Sequence, residues 1–376
     1  MKRLYILAFI FTLHIALSGY VNSTYLSEFI NENYVGLLYT AGSLVTLIAF
    51  SYSSEILAKI GDRKAIILGV LINFITLLVL GFAKTPILII GAFIAFMVTN
   101  SIIMLLLDVF FEHLEDGKTI GNMRGIYLSV TNLAWLVSPV LSGYIISVYG
   151  HASIYIVASV LALLMLSGFF IARFPASRKY LKISFFKAIK HLNGNKNIRA
   201  IVGVNFLLQF FYAIMVIYTP IYLIDHIGFD WETLGIIFTI MLLPFILLGI
   251  PVGKIIDKGV SEKKLITVGF IVMALATFCL LLIQTKTIIL WAIILFTTRF
   301  GAALVETASE IYFFKRSEVT DTDILSIFRD MSPFAYIVAP ITATLLLLIF
   351  PFKVLFILIT ILMFFGALLS RVWLTK

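Results

Sequence analysis

Residues 288–315 read IILWAIILFTTRFGAALVETASEIYFFK. At a rise of about 1.5 Å per residue, a helix of this length crosses a bilayer, and most of its side chains are apolar. It nevertheless carries Arg299, Glu306 and Glu310, which fall within roughly 40° of the helix circumference. A charge that faces lipid at mid-membrane costs about 3 kcal/mol. The charged stripe is therefore expected to face protein or water.

The composition is that of a membrane protein with many spans. Of 376 residues, 61% are hydrophobic and 12% are charged, whereas a soluble domain is about half apolar and about a quarter charged. The net charge of +9 does not indicate nucleic-acid binding, because the basic residues are spread over short loops. The single cysteine, Cys279, lies in an apolar run, and no residue spacing indicates a metal or another cofactor.

Apolar runs bounded by Gly, Pro or charged residues predict an all-α membrane protein with twelve transmembrane helices. The first run resembles a signal peptide, but no small-x-small cleavage site follows it, so it is interpreted as a retained helix. The predicted spans are 4–26, 33–57, 65–83, 86–108, 124–148, 152–174, 200–224, 232–253, 265–283, 287–312, 325–349 and 352–373.

The distribution of basic residues predicts the orientation of these spans. Of the 28 Lys and Arg residues, Lys84, Lys286 and Lys353 fall in one set of loops, and all others except Arg299 fall in the opposite set. Because cytoplasmic loops are the basic ones, both termini are predicted to be cytoplasmic. The expected location is the plasma (inner) membrane.

The two halves of the chain carry matching landmarks. Gly36 and Gly235 stand 199 residues apart, as do Ser54 and Gly253. Residues 134–142 and 335–343 share the pattern of small residues around a proline, at an offset of 201. This predicts two six-helix bundles related by pseudo-symmetry, residues 1–172 and 200–376, joined by a cytoplasmic linker, 173–199. The linker could also form an amphipathic helix on the membrane surface.

At these landmarks the sequence resembles the major facilitator superfamily of transporters, whose signature after the second helix reads G-x-L-x-D-R/K-x-G-R/K-R/K. The resemblance covers essentially the whole chain. The second-half copy keeps Gly253, Ile255, Asp257 and Lys258. The first-half copy keeps Ile56, Lys59, Gly61, Arg63 and Lys64, but departs from the signature at Ser54 and Ala58.

The resemblance implies a cytoplasmic gate in which these loops pair with carboxylates at the inner ends of the fourth and tenth helices. The carboxylates at those positions are Asp108, Glu112 and Glu310. The alternative is that the loop charges serve only to orient the protein in the membrane.

The fifth span resembles the family's antiporter signature, G-x8-G-x3-G-P-x2-G. The corresponding positions hold Gly125, Ala134, Ser138, Pro139 and Ser142. This would indicate export by antiport, although small residues at this spacing also serve close helix packing alone.

In this family the first, fourth, seventh and tenth helices line a central cavity, which implies a pathway built from their polar residues. The candidate pathway residues are His14, Asn22, Asn100, Asn205, Gln209, Tyr212, Arg299 and Glu306. Hydrogen bonding between helices is the alternative for each amide.

The chemistry of the pathway centres on three ionisable residues. Burial favours the neutral form of a carboxylic acid, so Glu306 is the candidate proton-coupling group. Arg299 is either its counterion or the anchor for an anionic part of the substrate, and His14 is a second proton-coupling candidate because imidazole titrates near neutral pH. A simple ion pair between Arg299 and Glu306 that holds two helices together is the alternative.

These observations predict a monomeric secondary active transporter that moves a small organic solute by alternating access, coupled to protons or another ion. Efflux of a drug or metabolite and uptake of a nutrient are both compatible with the sequence. A transporter-like sensor or scaffold without flux is the competing interpretation. An enzyme is not expected, since no nucleotide-binding loop, metal cluster or nucleophile–base pair is present in the sequence.

Overall fold

The structure, a computed structural model, describes residues 2–114, 120–171, 196–316 and 322–375. Within these residues the protein is entirely helical, with thirteen α-helices, one π-helical turn and no strand. The contacts between helices divide the chain into two units.

The first unit contains α1 to α7 and the residues Asp230–Ile236. Its helices are α1 (Lys2–Gly19), α2 (Asn22–Ser27), α3 (Glu32–Ile60), α4 (Asp62–Phe82), α5 (Pro86–Leu114), α6 (Ile120–Tyr149) and α7 (Ala152–Ile171). The second unit contains the helices that follow α7, except for the residues Asp230–Ile236 at the start of one of them. These are α8 (Lys196–Ile221) with its π-helical extension (Tyr222–His226), α9 (Trp231–Asp257), α10 (Glu262–Leu282), α11 (Ile288–Arg316), α12 (Thr322–Leu347) and α13 (Val354–Trp373).

Ten of the described helices are long and apolar enough to cross a membrane. In the first and eleventh predicted spans, the apolar stretches that the structure describes are shorter: Tyr5–Gly19 within α1 and Met331–Leu347 within α12. The prediction of a continuous first span over residues 4–26 is wrong, because α1 ends at Gly19 and α2 begins at Asn22. The chain turns there through a hydrogen bond from the Val21 N–H to the Ser18 carbonyl, 2.9 Å long.

The first described helix of the second unit begins four residues before the predicted seventh span, 200–224. Helix α8 starts at Lys196, inside the predicted linker 173–199, and its last turn widens into the π-helical segment. The remaining linker residues, and with them the amphipathic-helix alternative, lie outside the described residues.

The core of the first unit joins α1, α4, α5 and α7. Leu7 and Phe11 of α1 pack with Ile66 of α4, Leu106 of α5 and Phe169 of α7, and all five side chains are buried. Burying such side chains stabilises the fold by about 1.5–3 kcal/mol each. This packing fixes the rotation of α1 and therefore the direction in which its polar residues point.

The small residues of the fifth predicted span lie at close helix contacts. The Ser142 hydroxyl of α6 donates to the Leu17 carbonyl of α1 over 2.7 Å. Next to Pro139, a Cβ built on Gly235 would lie 2.5 Å from the Pro139 carbonyl oxygen. Ser142 and Pro139 therefore both lie at contacts with another helix, and the antiporter signature stays a prediction.

A second close approach joins α10 and α11 at Gly269 and Gly301. A Cβ built on Gly301 would lie 2.6 Å from the Gly269 oxygen and 2.9 Å from the Met273 nitrogen, and both of these neighbours are backbone atoms. This contact lies two residues from Arg299 and fixes the position of α11 against α10.

We expect Gly301→Ala to destabilise the protein by about 1–3 kcal/mol, the cost of overpacking a close contact. The measurement is the thermal unfolding midpoint of the purified protein in detergent. Gly249→Ala is the matched control, because Gly249 is exposed on a helix and a Cβ there meets no atom within 4 Å. Equal midpoints for Gly301→Ala and the parent protein would contradict the contact.

Candidate functional site

The polar side chains at membrane depth form one cluster in each unit. In the second unit, the arginine cluster consists of Arg299 and Glu306 on α11 with Phe211 and Tyr212 on α8. Gln209 lies three positions before Tyr212, on the same side of α8. The two helices are in contact along this face. The periodicity of the sequence placed Arg299 and Glu306 on one stripe, and the structure directs that stripe of α11 towards α8.

Arg299 is buried and holds its charge against aromatic rings. Its side chain is 1% exposed, and its Cζ atom lies 5.2 Å from the ring centroid of Phe211 and 5.3 Å from that of Tyr212. The Nε and Nη1 atoms are buried and have no hydrogen-bond partner among the described residues. Cation–π contacts stabilise a desolvated guanidinium by about 2 kcal/mol, but they leave its N–H donors free for an acceptor.

Glu306 does not pair with Arg299. No ion pair joins the two side chains in the described structure, where Glu306 instead accepts a hydrogen bond of 2.7 Å from the Tyr212 hydroxyl. The simple ion pair considered from the sequence is therefore not formed, and Tyr212 stands next to both charged groups.

The two amides of α8 differ in their surroundings. Asn205 is buried and donates a hydrogen bond of 2.6 Å to the Phe328 carbonyl on α12, which is the helix-to-helix contact that the sequence left as an alternative. Gln209 is half-buried and makes no hydrogen bond to a described residue. Its amide is available to a ligand in a way that the amide of Asn205 is not.

In the first unit, the histidine network consists of His14 on α1, Asn73 on α4, and Thr99 and Asn100 on α5. His14 Nε2 lies 3.1 Å from Asn73 Oδ1, and Asn73 Nδ2 donates to Thr99 Oγ1 at 3.0 Å and to Asn100 Oδ1 at 2.8 Å. All four side chains are buried. Two of the predicted pathway residues, His14 and Asn100, therefore belong to one network.

Asn73 was not among the predicted pathway residues. Those residues lie on the first, fourth, seventh and tenth spans, whereas Asn73 lies on the third. The signal was present, because an asparagine in the middle of the apolar run ILGVLINFITLLVL requires a buried partner.

Asn22 lies apart from the histidine network. It accepts a hydrogen bond of 2.8 Å from the Tyr155 hydroxyl, and the ring of Tyr155 lies 4.7 Å from that of Tyr25. These buried contacts join α2 to α7 and fix the turn after α1.

The gate residues of the first unit lie at the turn between α3 and α4. Gly61 has φ +77°, a left-handed conformation that favours glycine, and it ends one helix and precedes the next. Lys59 and Lys64 are exposed, and Arg63 Nη2 donates to the Phe170 carbonyl over 3.1 Å. The side chains of Asp108 and Glu112 are outside the described part of the structure.

The gate residues of the second unit lie at the corresponding turn, between α9 and α10. Gly253 is half-buried, while Asp257, Lys258 and Glu310 are exposed. Asp257 and Lys258 form no ion pair with a described residue.

An ion pair does form close to this turn, between partners that the sequence analysis did not single out. Lys315 Nζ of α11 donates to Glu262 Oε1 at the start of α10 over 2.7 Å. The Glu262 side chain is only 10% exposed, whereas that of Lys315 is 52% exposed. The pair therefore ties the carboxylate at one helix start to the charged end of the neighbouring helix.

We expect Glu262→Lys to lower the thermal unfolding midpoint, because it places a second positive charge beside Lys315. A charged hydrogen bond contributes about 1.5–3 kcal/mol, and the loss should be of that order or larger. The charge-swapped double variant Glu262→Lys with Lys315→Glu should recover most of the midpoint. A double variant no more stable than Glu262→Lys alone would show that the two side chains do not interact.

The described residues contain no group of three His, Cys, Asp or Glu side chains that could hold a metal ion. The arginine cluster supplies a guanidinium with unsatisfied donors and one carboxyl group, which suits recognition of an anionic group. The histidine network of the other unit, described by itself, supplies one imidazole.

The fold closely matches solved structures of transporters, at low sequence identity. The POT family transporter PepTSo matches with a TM-score of 0.80 and 11% identity, over 99% of this chain and 97% of that one. A D-xylose-proton symporter matches with a TM-score of 0.78 and 14% identity, over 100% and 98%. The nucleoside transporter NupG, as a variant, matches with a TM-score of 0.79 and 12% identity, over 100% and 99%.

A search of curated proteins finds no match to this sequence. The sequence model of the Major Facilitator Superfamily, in contrast, matches residues 4–318, which is most of the chain. The chain belongs to the Major Facilitator Superfamily of membrane transporters.

Proposed function

We propose that the protein is a proton-coupled secondary transporter for a small organic solute that carries an anionic group. Membership of the family supports transport in general. The similar structures are those of a POT family transporter, a D-xylose-proton symporter and a nucleoside transporter, so this fold serves solutes of different chemistry. The choice of an anionic solute comes from this chain's own residues.

The observation that carries the proposal is the unsatisfied guanidinium of Arg299. A buried charge without a partner is costly, and a buried N–H donor left unpaired costs about 1–3 kcal/mol. Phe211 and Tyr212 compensate part of this cost through their ring faces, but they accept no hydrogen bond from Nε or Nη1. A carboxylate or phosphate on the solute supplies the missing acceptor.

Glu306 is the proton-coupling group in this proposal. It lies seven positions after Arg299 on the same helix, and Tyr212 contacts both side chains. The charge of Glu306 therefore acts on an anion bound at Arg299. A solute anion next to an ionised Glu306 is disfavoured by repulsion, and a proton on Glu306 removes that repulsion. Proton binding and anion binding therefore favour each other.

The aromatic residues around Arg299 suggest that the solute also has an apolar part. Phe245 lies against the cluster, with its ring centroid 6.1 Å from that of Tyr212. Solutes with a carboxylate next to an aliphatic or aromatic moiety are thus the first class to test. Both uptake and efflux are compatible with these contacts.

The wider arrangement is proposed as follows. Twelve spans form two pseudo-symmetric six-helix bundles, residues 1–172 and 200–376, in the plasma membrane, with both termini cytoplasmic and the monomer as the working unit. The basic loops and the repeated landmarks support this arrangement.

A sensor or scaffold without flux is the second candidate. The observation in its favour is the incomplete first-half gate signature, where Ser54 and Ala58 replace the family's glycine and aspartate. Flux separates the two candidates, because a sensor binds its ligand without moving it.

The experiment begins with a thermal-shift screen of the purified protein against small carboxylates, phosphates and neutral solutes. Stabilising compounds are then tested as radiolabelled solutes in proteoliposomes with and without an inward proton gradient. The proposal expects anionic hits that accumulate with the gradient. Binding without accumulation under any gradient would favour the sensor, and exclusively neutral or cationic hits would contradict the role of Arg299.

A further inference from the structure

The histidine network of the first unit holds the His14 ring between two oxygen atoms. Nδ1 lies 2.5 Å from the Phe11 carbonyl oxygen, and Nε2 lies 3.1 Å from Asn73 Oδ1. A backbone carbonyl accepts hydrogen bonds and never donates them, so Nδ1 carries a proton in either charge state of the ring. The charge of His14 is therefore decided at Nε2 alone.

The atom that faces Nε2 depends on the orientation of the Asn73 amide. As placed, Asn73 Nδ2 donates to Thr99 Oγ1 and Asn100 Oδ1, which leaves Oδ1 to accept from Nε2. In this arrangement both ring nitrogens donate, which is the hydrogen-bond pattern of the charged imidazolium.

The same heavy-atom positions also satisfy the neutral ring. If the amides of Asn73 and Asn100 each turn by about 180°, Asn73 Nδ2 donates to the bare Nε2. Asn73 Oδ1 then accepts from Asn100 Nδ2 and from the Thr99 hydroxyl. Nε2, the Asn73 amide and the Asn100 atom that faces it all keep a partner in both arrangements, so these groups accommodate a proton without losing a hydrogen bond.

Among the side chains that the structure describes, no charged one takes part in this network. The groups that face the ring are the Phe11 carbonyl, the amides of Asn73 and Asn100, and the ring of Phe96 at 6.3 Å. The helices packed around His14 carry other ionisable side chains that the structure describes, but none forms a hydrogen bond or ion pair with the ring: Tyr5, Asp62, Arg63, Lys64, Tyr127, Tyr144, Tyr149 and Tyr155.

We propose that His14, Asn73, Asn100 and Thr99 form a second proton-binding site, in which the two amides turn over when His14 gains or loses its proton. Asn73 is the positioning residue, since its amide lies within hydrogen-bond distance of Nε2 and adapts to both states. This site is separate from Glu306, which belongs to the other unit. The binding of a proton here is independent of the proposed function, whereas its coupling to a solute rests on that function.

The test is solid-state NMR of protein labelled with ¹⁵N-histidine in liposomes, titrated from about pH 8 to about pH 3, because a buried ring takes up its proton only at acidic pH. The chain has five histidines, and the signals absent from His14→Gln identify those of His14. We expect Nδ1 to stay protonated throughout, while Nε2 changes from bare to protonated. In Asn73→Leu, which lacks the acceptor, the doubly protonated fraction at a given acidic pH should fall about tenfold. Asn73→Asp, which places a carboxylate beside Nε2, should raise this fraction above that of the parent protein.

Tyr155→Phe is the control for general damage to the first unit. It removes the hydrogen bond to Asn22 and leaves the histidine network intact, so its His14 titration should match that of the parent protein. A His14 ring that stays in one form across the titration would overturn the proton site. The proposal would also be overturned if His14 titrated in Asn73→Leu as it does in the parent protein and in Tyr155→Phe. If His14 titrates as expected but solute flux is independent of pH, the proton site stands and the proposed proton coupling fails.

Discussion

Replacing Arg299 by alanine is expected to weaken the binding of an anionic solute roughly thirtyfold or more. Truncating one partner of a buried charged hydrogen-bonded pair costs about 2 kcal/mol or more, and about 1.4 kcal/mol corresponds to a tenfold change in affinity. Neutral analogues of the same solute should bind the parent protein and Arg299→Ala equally. The measurement is the dissociation constant of the strongest anionic hit, obtained by titration of the purified protein.

Arg316→Ala is the matched control for this prediction. Arg316 lies on the same helix and also stacks on an aromatic ring, with its Cζ atom 3.7 Å from the centroid of Tyr312, but outside the arginine cluster. Its removal should leave the affinity unchanged. Arg299→Lys should recover only part of the affinity, because an ammonium lacks the planar fork that binds a carboxylate at two points. An anion affinity that is the same in Arg299→Ala and the parent protein would confine Arg299 to packing.

Replacing Glu306 by glutamine is expected to abolish accumulation of the solute against its gradient while exchange at equal concentrations continues. Glutamine has the same shape and still accepts the hydrogen bond from the Tyr212 hydroxyl, but it does not exchange a proton. The variant therefore separates proton coupling from solute binding. The two measurements are pH-driven uptake and counterflow of the same labelled solute in proteoliposomes.

Glu232→Gln is the control here, because Glu232 is an exposed carboxylate at the beginning of α9. Its uptake should depend on the proton gradient as in the parent protein. If Glu306→Gln still accumulates solute with an undiminished pH dependence, Glu306 is not the coupling group, and the proton site at His14 becomes the leading alternative.

The stripe of charges on α11 shows how far a sequence pattern leads. Helical periodicity places Arg299, Glu306 and Glu310 on one face, and the structure buries the first, half-buries the second and exposes the third. The burial of the three side chains decreases towards the end of the helix, and the sequence also predicts where that end lies. The partners of each charge come from α8, and no local pattern states that Tyr212 stands between Arg299 and Glu306.

Predictions based on single spans fail where contacts between spans decide the structure. Asn73 was missed because its importance arises from His14 and Asn100, which lie on other helices. Glu262 was missed for the same reason, since it looks like an ordinary charge at a helix start until Lys315 is seen beside it. The break after Gly19 has no proline to announce it, only a local turn stabilised by the packing of α2.

The gate expected from the family signature stays a prediction. The glycine turn at Gly61 has the backbone conformation that the motif requires. The charge pairs assigned to Asp108 and Glu112 involve side chains outside the described residues. Where the second unit does form an ion pair at the corresponding end, it uses Glu262 and Lys315 and not the aspartate of the motif, Asp257.

Access of water to the arginine cluster is the most direct test of a solute pathway. Gln209, half-buried and without a hydrogen-bond partner among the described residues, is the position to probe. A Gln209→Cys variant in a Cys279→Ser background, reconstituted in liposomes, is treated with a water-soluble, membrane-impermeant thiol reagent from each side in turn. We expect the cysteine to be modified from at least one side of the membrane. An anionic compound that binds the protein should slow this modification. An unreactive cysteine from both sides, next to full modification of a Glu232→Cys reference, would show that the cluster is a dry packing contact.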